Sequence, residues 1–139
     1  MHKILLKISA AILISTAVSS CVTTNAEGIK QITSTKNALS GERTKIHWAM
    51  AVKGDCSARV IPELRVLQAP QHGTLDIVHE KVDGKFHGTY AKCTGKDVQG
   101  AAAYYTSKQG FVGTDKVVIR NSYKDGVVRD SVVTIDVVK

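Results

Sequence analysis

The chain has 139 residues, a formal net charge of +7 and a hydrophobic fraction of 43%. This length accommodates one domain of ordinary size, which excludes enzymes that need a separate cofactor domain. Charged residues make up 22% of the chain and only two residues are proline, so collagen-like, proline-rich and disordered chains are excluded as well.

The N-terminus has the layout of a secretory signal peptide. Two early lysines give it a positive start, an apolar stretch follows over residues 8–18, and no acidic residue occurs before Glu27. Such a stretch is too short to span a membrane permanently. We therefore expect residues 1–20 to be removed when the protein is exported.

The predicted signal peptide ends in a sequence that resembles the lipobox of bacterial lipoproteins. Residues 18–21 read Val-Ser-Ser-Cys: an aliphatic residue, two small residues and the cysteine that receives lipid. The resemblance implies that Cys21 becomes the first mature residue and anchors the chain in a membrane, and Val22 after it favours the outer membrane. A competing cleavage after Ala26 would remove residues 1–26 and release a soluble protein.

Export also accounts for the odd number of cysteines. Once Cys21 is lipidated or removed, Cys56 and Cys93 remain, and an oxidising compartment favours a disulfide between them. The alternative, a metal site, has less support because there is no CxxC spacing and no histidine lies beside either cysteine. We expect one structural disulfide and no cofactor.

The predicted domain, residues 43–139, follows a polar segment. Residues 21–42 are rich in Thr, Ser, Asn and Lys, which predicts a linker. Apolar and polar residues then alternate over 45–52, the pattern of a half-buried strand. In this interpretation Trp48 faces inward and makes the largest contribution of the strand to the core.

β-Branched residues dominate the apolar positions of the remaining chain, and glycine-containing turns separate its apolar runs. Five of these runs predict strands: 64–69, 74–82, 101–106, 116–121 and 127–138. Asp83-Gly84 is typical of a tight turn, so we expect 74–82 and 85–92 to form a hairpin. About seven short strands with no helical periodicity predict an all-β fold, an antiparallel sandwich.

Two elements of the sequence resemble the repeat domains of bacterial Ig-like and cadherin-like proteins. The first reads Ala-Pro-Gln-His-Gly-Thr-Leu over 69–75, and the second reads Tyr-Thr-Ser-Lys-Gln-Gly-Phe-Val-Gly-Thr-Asp over 105–115. The resemblance covers about 63–138 and implies that the antiparallel sandwich is Ig-like, although Ser107 stands where the family usually has proline. The motif residues to which it gives a structural role are Pro70, His72, Gly73, Thr74, Phe111, Gly113 and Asp115.

The chemistry of these motif residues suggests what each does. We expect Gly73 and Gly113 to supply backbone angles that other residues resist, and Asp115 to hydrogen-bond nearby amides and fix a turn. Phe111 is expected to fill the end of the sandwich, and His72 to be a turn histidine bonded to the backbone. The chain lacks the strongly acidic character of the family's calcium-binding repeats.

The sequence contains no motif that indicates an enzyme: no nucleophile elbow, no paired carboxylates and no phosphate-binding loop. Removing the signal peptide lowers the net charge by two, and the remaining charges alternate in sign, so nucleic-acid binding is not supported. We therefore predict a non-catalytic binding or structural module of the cell envelope, in the periplasm. It would contact the outer membrane through a lipid on Cys21 and bind an envelope protein or polymer. The alternative is a periplasmic metal-handling protein that uses His79 and His87, brought together across the turn at 83–84.

Overall fold

The computed structural model describes residues 22–139 of the chain. Over these residues the chain forms ten β-strands and one short 3-10 helix, Gly88–Cys93. The strands are β1 (Val22–Thr24), β2 (Lys30–Leu39), β3 (Arg43–Ala49), β4 (Ala51–Val52), β5 (Ala58–Val60), β6 (Glu63–Gln68), β7 (Gly73–Val82), β8 (Val98–Ser107), β9 (Gly113–Ser122) and β10 (Val128–Val138).

The strands form two main sheets. One has five strands in the order β1-β2-β10-β9-β6, the other has three in the order β3-β8-β7, and β4 pairs with β5 alone. The pairing of β2 with β10 is parallel, and the other pairings are antiparallel. The orders β10-β9-β6 and β3-β8-β7 are those of an immunoglobulin-type Greek key. The predicted all-β sandwich with one disulfide is therefore confirmed.

The core lies between these two sheets. Every second residue of β9 and of β10 points inward, which is the period-2 alternation that their sequences show. The buried side chains of the core are Ala38, Ile46, Ala49, Leu64, Ala101, Ala103, Tyr105, Val117, Ile119, Val133, Ile135 and Val137. The small alanines of β8 face the branched side chains of β9 and β10, so the two sheets interdigitate.

Residues 30–39 form a strand of the larger sheet, although the sequence predicted a polar linker over 21–42. This strand, β2, pairs with β10 along its whole length. Its sequence does not look like a strand because most of its side chains are exposed or half-buried, and only Ala38 enters the core. Backbone hydrogen bonds to β10 satisfy its amides and carbonyls in place of hydrophobic burial. The domain therefore begins well before residue 43.

A β-bulge in β3 changes the face on which its later residues lie. The register against β8 shifts between Lys45 and His47, so Ile46 is an extra residue and the alternation restarts after it. Ile46 is buried as predicted, but Trp48 lies on the outer face of the sheet and is 39% exposed. The prediction that Trp48 contributes most to the core is wrong, and Tyr105 is the largest fully buried side chain.

The same bulge turns His47 toward the opposite sheet. Its Nε2 lies 2.7 Å from Oδ1 of Asn121, a residue of β9 that is only 2% exposed. The amide nitrogen of Asn121 donates to the carbonyl of Arg129 and to the hydroxyl of Ser131, so its oxygen faces His47 as an acceptor. Nε2 therefore donates, and the neutral ring makes this bond without a charge. Burial lowers the pKa of His47 by more than the bond to Asn121 raises it.

The predicted hairpin between 74–82 and 85–92 does not form. Instead β7 pairs along its whole length with β8. Residues 83–97 form a long connection that leaves the sheet and contains the 3-10 helix. The disulfide gives a physical reason, because Cys93 at the end of that helix is bonded to Cys56, outside the ladder of β7 and β8.

We expect the free energy of unfolding to fall as the pH drops below about 6.5, the ordinary pKa of histidine. The pKa of His47 is lowered in the folded state, so below that pH the unfolded chain binds more protons and protonation favours unfolding. Above that pH His47 is neutral in both states and contributes no pH dependence.

His47→Gln should lose this part of the pH dependence, since glutamine can bond to Asn121 but does not titrate. Urea unfolding between about pH 8 and pH 5 measures the effect. His79→Gln, at an exposed position of β7, is the matched control and should behave like the wild type. The account of His47 is contradicted if both variants keep the full pH dependence.

Candidate functional site

A buried carboxylate at the start of β9 joins the two motif elements of the sequence. Asp115 is 4% exposed. Its Oδ1 accepts hydrogen bonds from the amides of Gln71 at 2.9 Å and Lys116 at 2.8 Å. Its Oδ2 accepts from the amide of His72 at 2.8 Å and the hydroxyl of Tyr105 at 3.0 Å. Burial alone would raise the pKa of Asp115, but these four donors together lower it below its ordinary value.

The two motif glycines are needed for different reasons. Gly113 has a φ of +145°, a backbone conformation that other residues rarely adopt. Gly73 has no positive φ. Instead, a Cβ at this position would lie 2.6 Å from a ring carbon of Tyr105, so only glycine leaves room for the ring that reaches Asp115. The expectation of a special backbone angle therefore fits Gly113 and does not fit Gly73.

The motif histidine packs against an aromatic ring. The rings of His72 and Phe111 stack with centroids 4.3 Å apart, and Phe111 also packs against the core. The backbone of His72 makes the hydrogen bonds, to Asp115 and from the amide of Lys108. Pro70 is half-buried just before β7, and Thr74 is an exposed residue of that strand. This end of the sandwich is thus held together by hydrogen bonds and ring contacts among its own residues, which we call the Asp115 network.

The disulfide lies outside the Asp115 network. Cys56 follows β4 and Cys93 ends the 3-10 helix; their Cα atoms are 5.3 Å apart, and they are 7% and 0% exposed. Together with Val52 and Val98 they form a second small apolar cluster. The predicted disulfide is therefore confirmed, and it fixes the connection 83–97 against β4.

An open cleft of about 710 Å³ adjoins the apolar cluster around the disulfide, because Met50, Val52 and Phe86 belong to both. Three parts of the chain line it: the region of β4 and β5, the disulfide-bonded connection, and the turn between β9 and β10 with the start of β10. Its aromatic residues are Phe86, Tyr90 and Tyr123, and Tyr90 is 43% exposed. This volume lies within the range of ligand-binding sites.

Positive charge accompanies the aromatic rings of the cleft. Arg59 forms a salt bridge of 2.8 Å with Asp125, while the guanidinium of Arg129 lies 6.0 Å from the centre of the Tyr123 ring. Within residues 22–139 no carboxylate lies within salt-bridge distance of Arg129. Burial raises the pKa of Tyr123, so that its hydroxyl stays neutral. The cleft therefore offers a cation and ring faces to a ligand.

A second aromatic patch, on the outer face of the smaller sheet, has its charges already paired. The guanidinium of Arg43 lies 3.6 Å from the centre of the Tyr104 ring and forms a salt bridge with Asp76 at 2.9 Å. The hydroxyl of Tyr104 donates to Glu80, which also pairs with Lys45. Because these groups satisfy one another, the cleft is the better candidate for a ligand site.

The two candidate metal ligands lie on separate elements. His79 is an exposed residue of β7 opposite Ala101, whereas His87 belongs to the connection and lines the cleft. The missing hairpin means that no turn pairs them. No group of three or more His, Cys, Asp or Glu side chains suited to a metal ion occurs in the part of the chain that the structure describes.

The predicted lipidation site, Cys21, and the predicted signal peptide lie outside the described residues. Within 22–139, none of the helical structure has the length and apolar character of a membrane span. Sequence reasoning missed the cleft residues Arg59, Tyr90 and Arg129, because no motif links them. The one available signal was their closeness in sequence to Cys56, Cys93 and the Asp125-Gly126 turn.

The chain matches no protein-family model, and no curated protein and no solved structure matches it either. The functional argument therefore depends on the geometry of the cleft and of the elements around it.

Asp115→Ala should lower the free energy of unfolding by about 3 kcal/mol, because it leaves the buried hydroxyl of Tyr105 and the part-buried amides of Gln71 and His72 without an acceptor. Asp76→Ala removes an exposed carboxylate that makes one surface salt bridge, and should cost less than about 1 kcal/mol. Urea unfolding of both variants measures the difference. Similar losses in the two would contradict the role given to Asp115.

Replacing both cysteines of the disulfide, Cys56→Ala with Cys93→Ala, should lower the free energy of unfolding by about 4 kcal/mol. The bond closes a loop of 37 residues, and opening it restores conformational entropy to the unfolded chain. Wild-type protein in reductant should approach the stability of the double variant. A loss below about 1 kcal/mol in urea unfolding would show that the bond is not a main support of the fold.

Proposed function

We propose that the protein is a non-catalytic binding module of the bacterial cell envelope, exported by its signal peptide and anchored to a membrane through a lipid on Cys21. Its ligand is an acidic polymer of the envelope, a chain of sugar rings with carboxylate or phosphate groups. The observation that carries this proposal is the cleft, which is lined by three aromatic residues and by Arg129, whose guanidinium lies 6.0 Å from the centre of the Tyr123 ring.

The disulfide supports export. Disulfides form and persist in oxidising compartments such as the bacterial periplasm and are rare in the cytosol. Cys93 is completely buried and Cys56 nearly so, which protects the bond from exchange with other thiols. A buried, structural disulfide in a chain of this size agrees with the signal peptide in the sequence.

The composition of the cleft supports an anionic ligand that contains rings. Guanidinium groups bind carboxylates and phosphates through two parallel hydrogen bonds, which favours Arg129 as the group that recognises the anion. Tyrosine rings supply rigid contact area at low conformational cost, and Tyr and Arg dominate binding energy at interfaces. The half-exposed ring of Tyr90 at the open cleft suits contact with one face of a sugar ring.

The contacts of Asp125 support a structural role for it in the cleft. Its carboxylate accepts a hydrogen bond from the amide of Val127 at 3.1 Å and pairs with Arg59. The amide of Val127, followed by Arg59, lowers the pKa of Asp125, so the group stays ionised and is a poor proton donor at neutral pH. Asp125 thus holds the turn and orients Arg59.

Calorimetric titration with an oligomer of galacturonic acid should detect binding at low salt, and a neutral oligomer of galactose should bind more weakly. We expect Arg129→Gln and Tyr90→Ala each to weaken binding about tenfold. Lys108→Gln removes one positive charge from an exposed position just after β8 that does not line the cleft, and should leave the affinity unchanged.

The proposed site is contradicted if Arg129→Gln binds as tightly as Lys108→Gln. Equal affinity for the acidic and neutral oligomers would contradict the proposed ligand class. Because surface electrostatics are screened by salt, the affinity for the acidic oligomer should also fall as the ionic strength rises.

A further inference from the structure

The residues just before Glu27 are part of the sandwich. Residues 22–24, as β1, pair with β2 and add a fifth strand to the larger sheet. Asn25 then forms the turn into β2, because its Oδ1 accepts hydrogen bonds from the amides of Glu27 and Ile29, both at 2.9 Å. A backbone bond from the amide of Asn25 to the carbonyl of Ile29 closes the same turn.

Asn25 also bonds to a buried carboxylate. Its Nδ2 donates to Oδ2 of Asp130 at 2.8 Å, and Asp130 is 1% exposed. Arg120 donates to the same carboxylate at 2.7 and 3.0 Å and also to Glu27. Arg120, with help from Asn25, lowers the pKa of Asp130 and so keeps it ionised. The segment 22–27 is thus tied to both β9 and β10.

The two cleavage sites predicted from the sequence affect this arrangement differently. Cleavage after Ala26 would remove β1 and Asn25, expose the edge of β2, and take one hydrogen-bond donor from the buried Asp130. Cleavage at the lipobox-like sequence would leave all of these contacts in place.

We propose that residues 22–26 belong to the mature protein, so that processing cuts the chain before Val22 and not after Ala26. This inference rests on the proposed export of the chain. A lipid-bearing residue would then directly precede β1, and the sandwich would be attached to the membrane without a flexible linker. The cleft would lie at a fixed height above the membrane rather than on a mobile tether.

The intact mass and N-terminal peptide of the mature protein, isolated after expression of the full chain in a lipoprotein-processing bacterium, test this inference. We expect a chain that begins at Cys21 with the added mass of acyl groups. A cleaved but unlipidated chain that begins at Val22, or within a few residues before it, would support the inference and overturn the lipid anchor. A chain that begins at Glu27 would overturn the inference but leave export intact, and an uncut chain that begins at Met1 would overturn both.

A second measurement tests the structural argument on the same mature protein. Asn25→Ala should lower the midpoint of thermal unfolding by about 4 °C, because it removes the turn bonds and the donor to Asp130. Asn37→Ala changes an exposed asparagine of β2 and should leave the midpoint unchanged. Equal midpoints for the two variants would contradict the structural argument for the inference, because the bonds of Asn25 would then not stabilise the fold.

Discussion

The disulfide between Cys56 and Cys93 is the constraint on which the cleft depends. Without it, the connection between β7 and β8 would be a long surface loop, free to take many conformations. The bond fixes the 3-10 helix against β4, and Cys93 becomes completely buried in a small apolar cluster. Since Phe86 and Tyr90 belong to this connection, the bond also sets their position relative to the turn between β9 and β10. The same covalent bond therefore supports both the proposed export and the geometry of the proposed binding site.

The fold class could be predicted from the sequence because strand alternation and turn residues, the clearest patterns in the sequence, are local. β9 and β10 alternate with period two, and the Asp125-Gly126 turn lies between them as expected. The cysteine count predicted the pairing, since only Cys56 and Cys93 remain if Cys21 is lipidated or removed. The motif residues were singled out by their resemblance to a family, and in the structure the bonds of Asp115 connect the two motif elements. One buried carboxylate bonds to two backbone amides of the first element and to a tyrosine of the second.

Other parts of the structure depend on contacts that a local pattern does not contain. β2 is a strand because the edge of β10 offers a partner, although its own side chains are polar. The bulge at Ile46 reverses the faces of His47 and Trp48, and a single inserted residue leaves no mark on composition. The aromatic and cationic residues of the cleft come from distant segments, and only the disulfide and the sheet order bring them together.

The central claim is that this disulfide-fixed cleft binds an acidic polymer. Backbone amide chemical shifts, followed by NMR while an oligomer of galacturonic acid is added, test it most directly. The account predicts shift changes concentrated in the connection around Phe86 and Tyr90 and in the segment 123–129, in the oxidised protein. Changes confined to the outer face around Trp48 and Tyr104, or no changes at all, would contradict it.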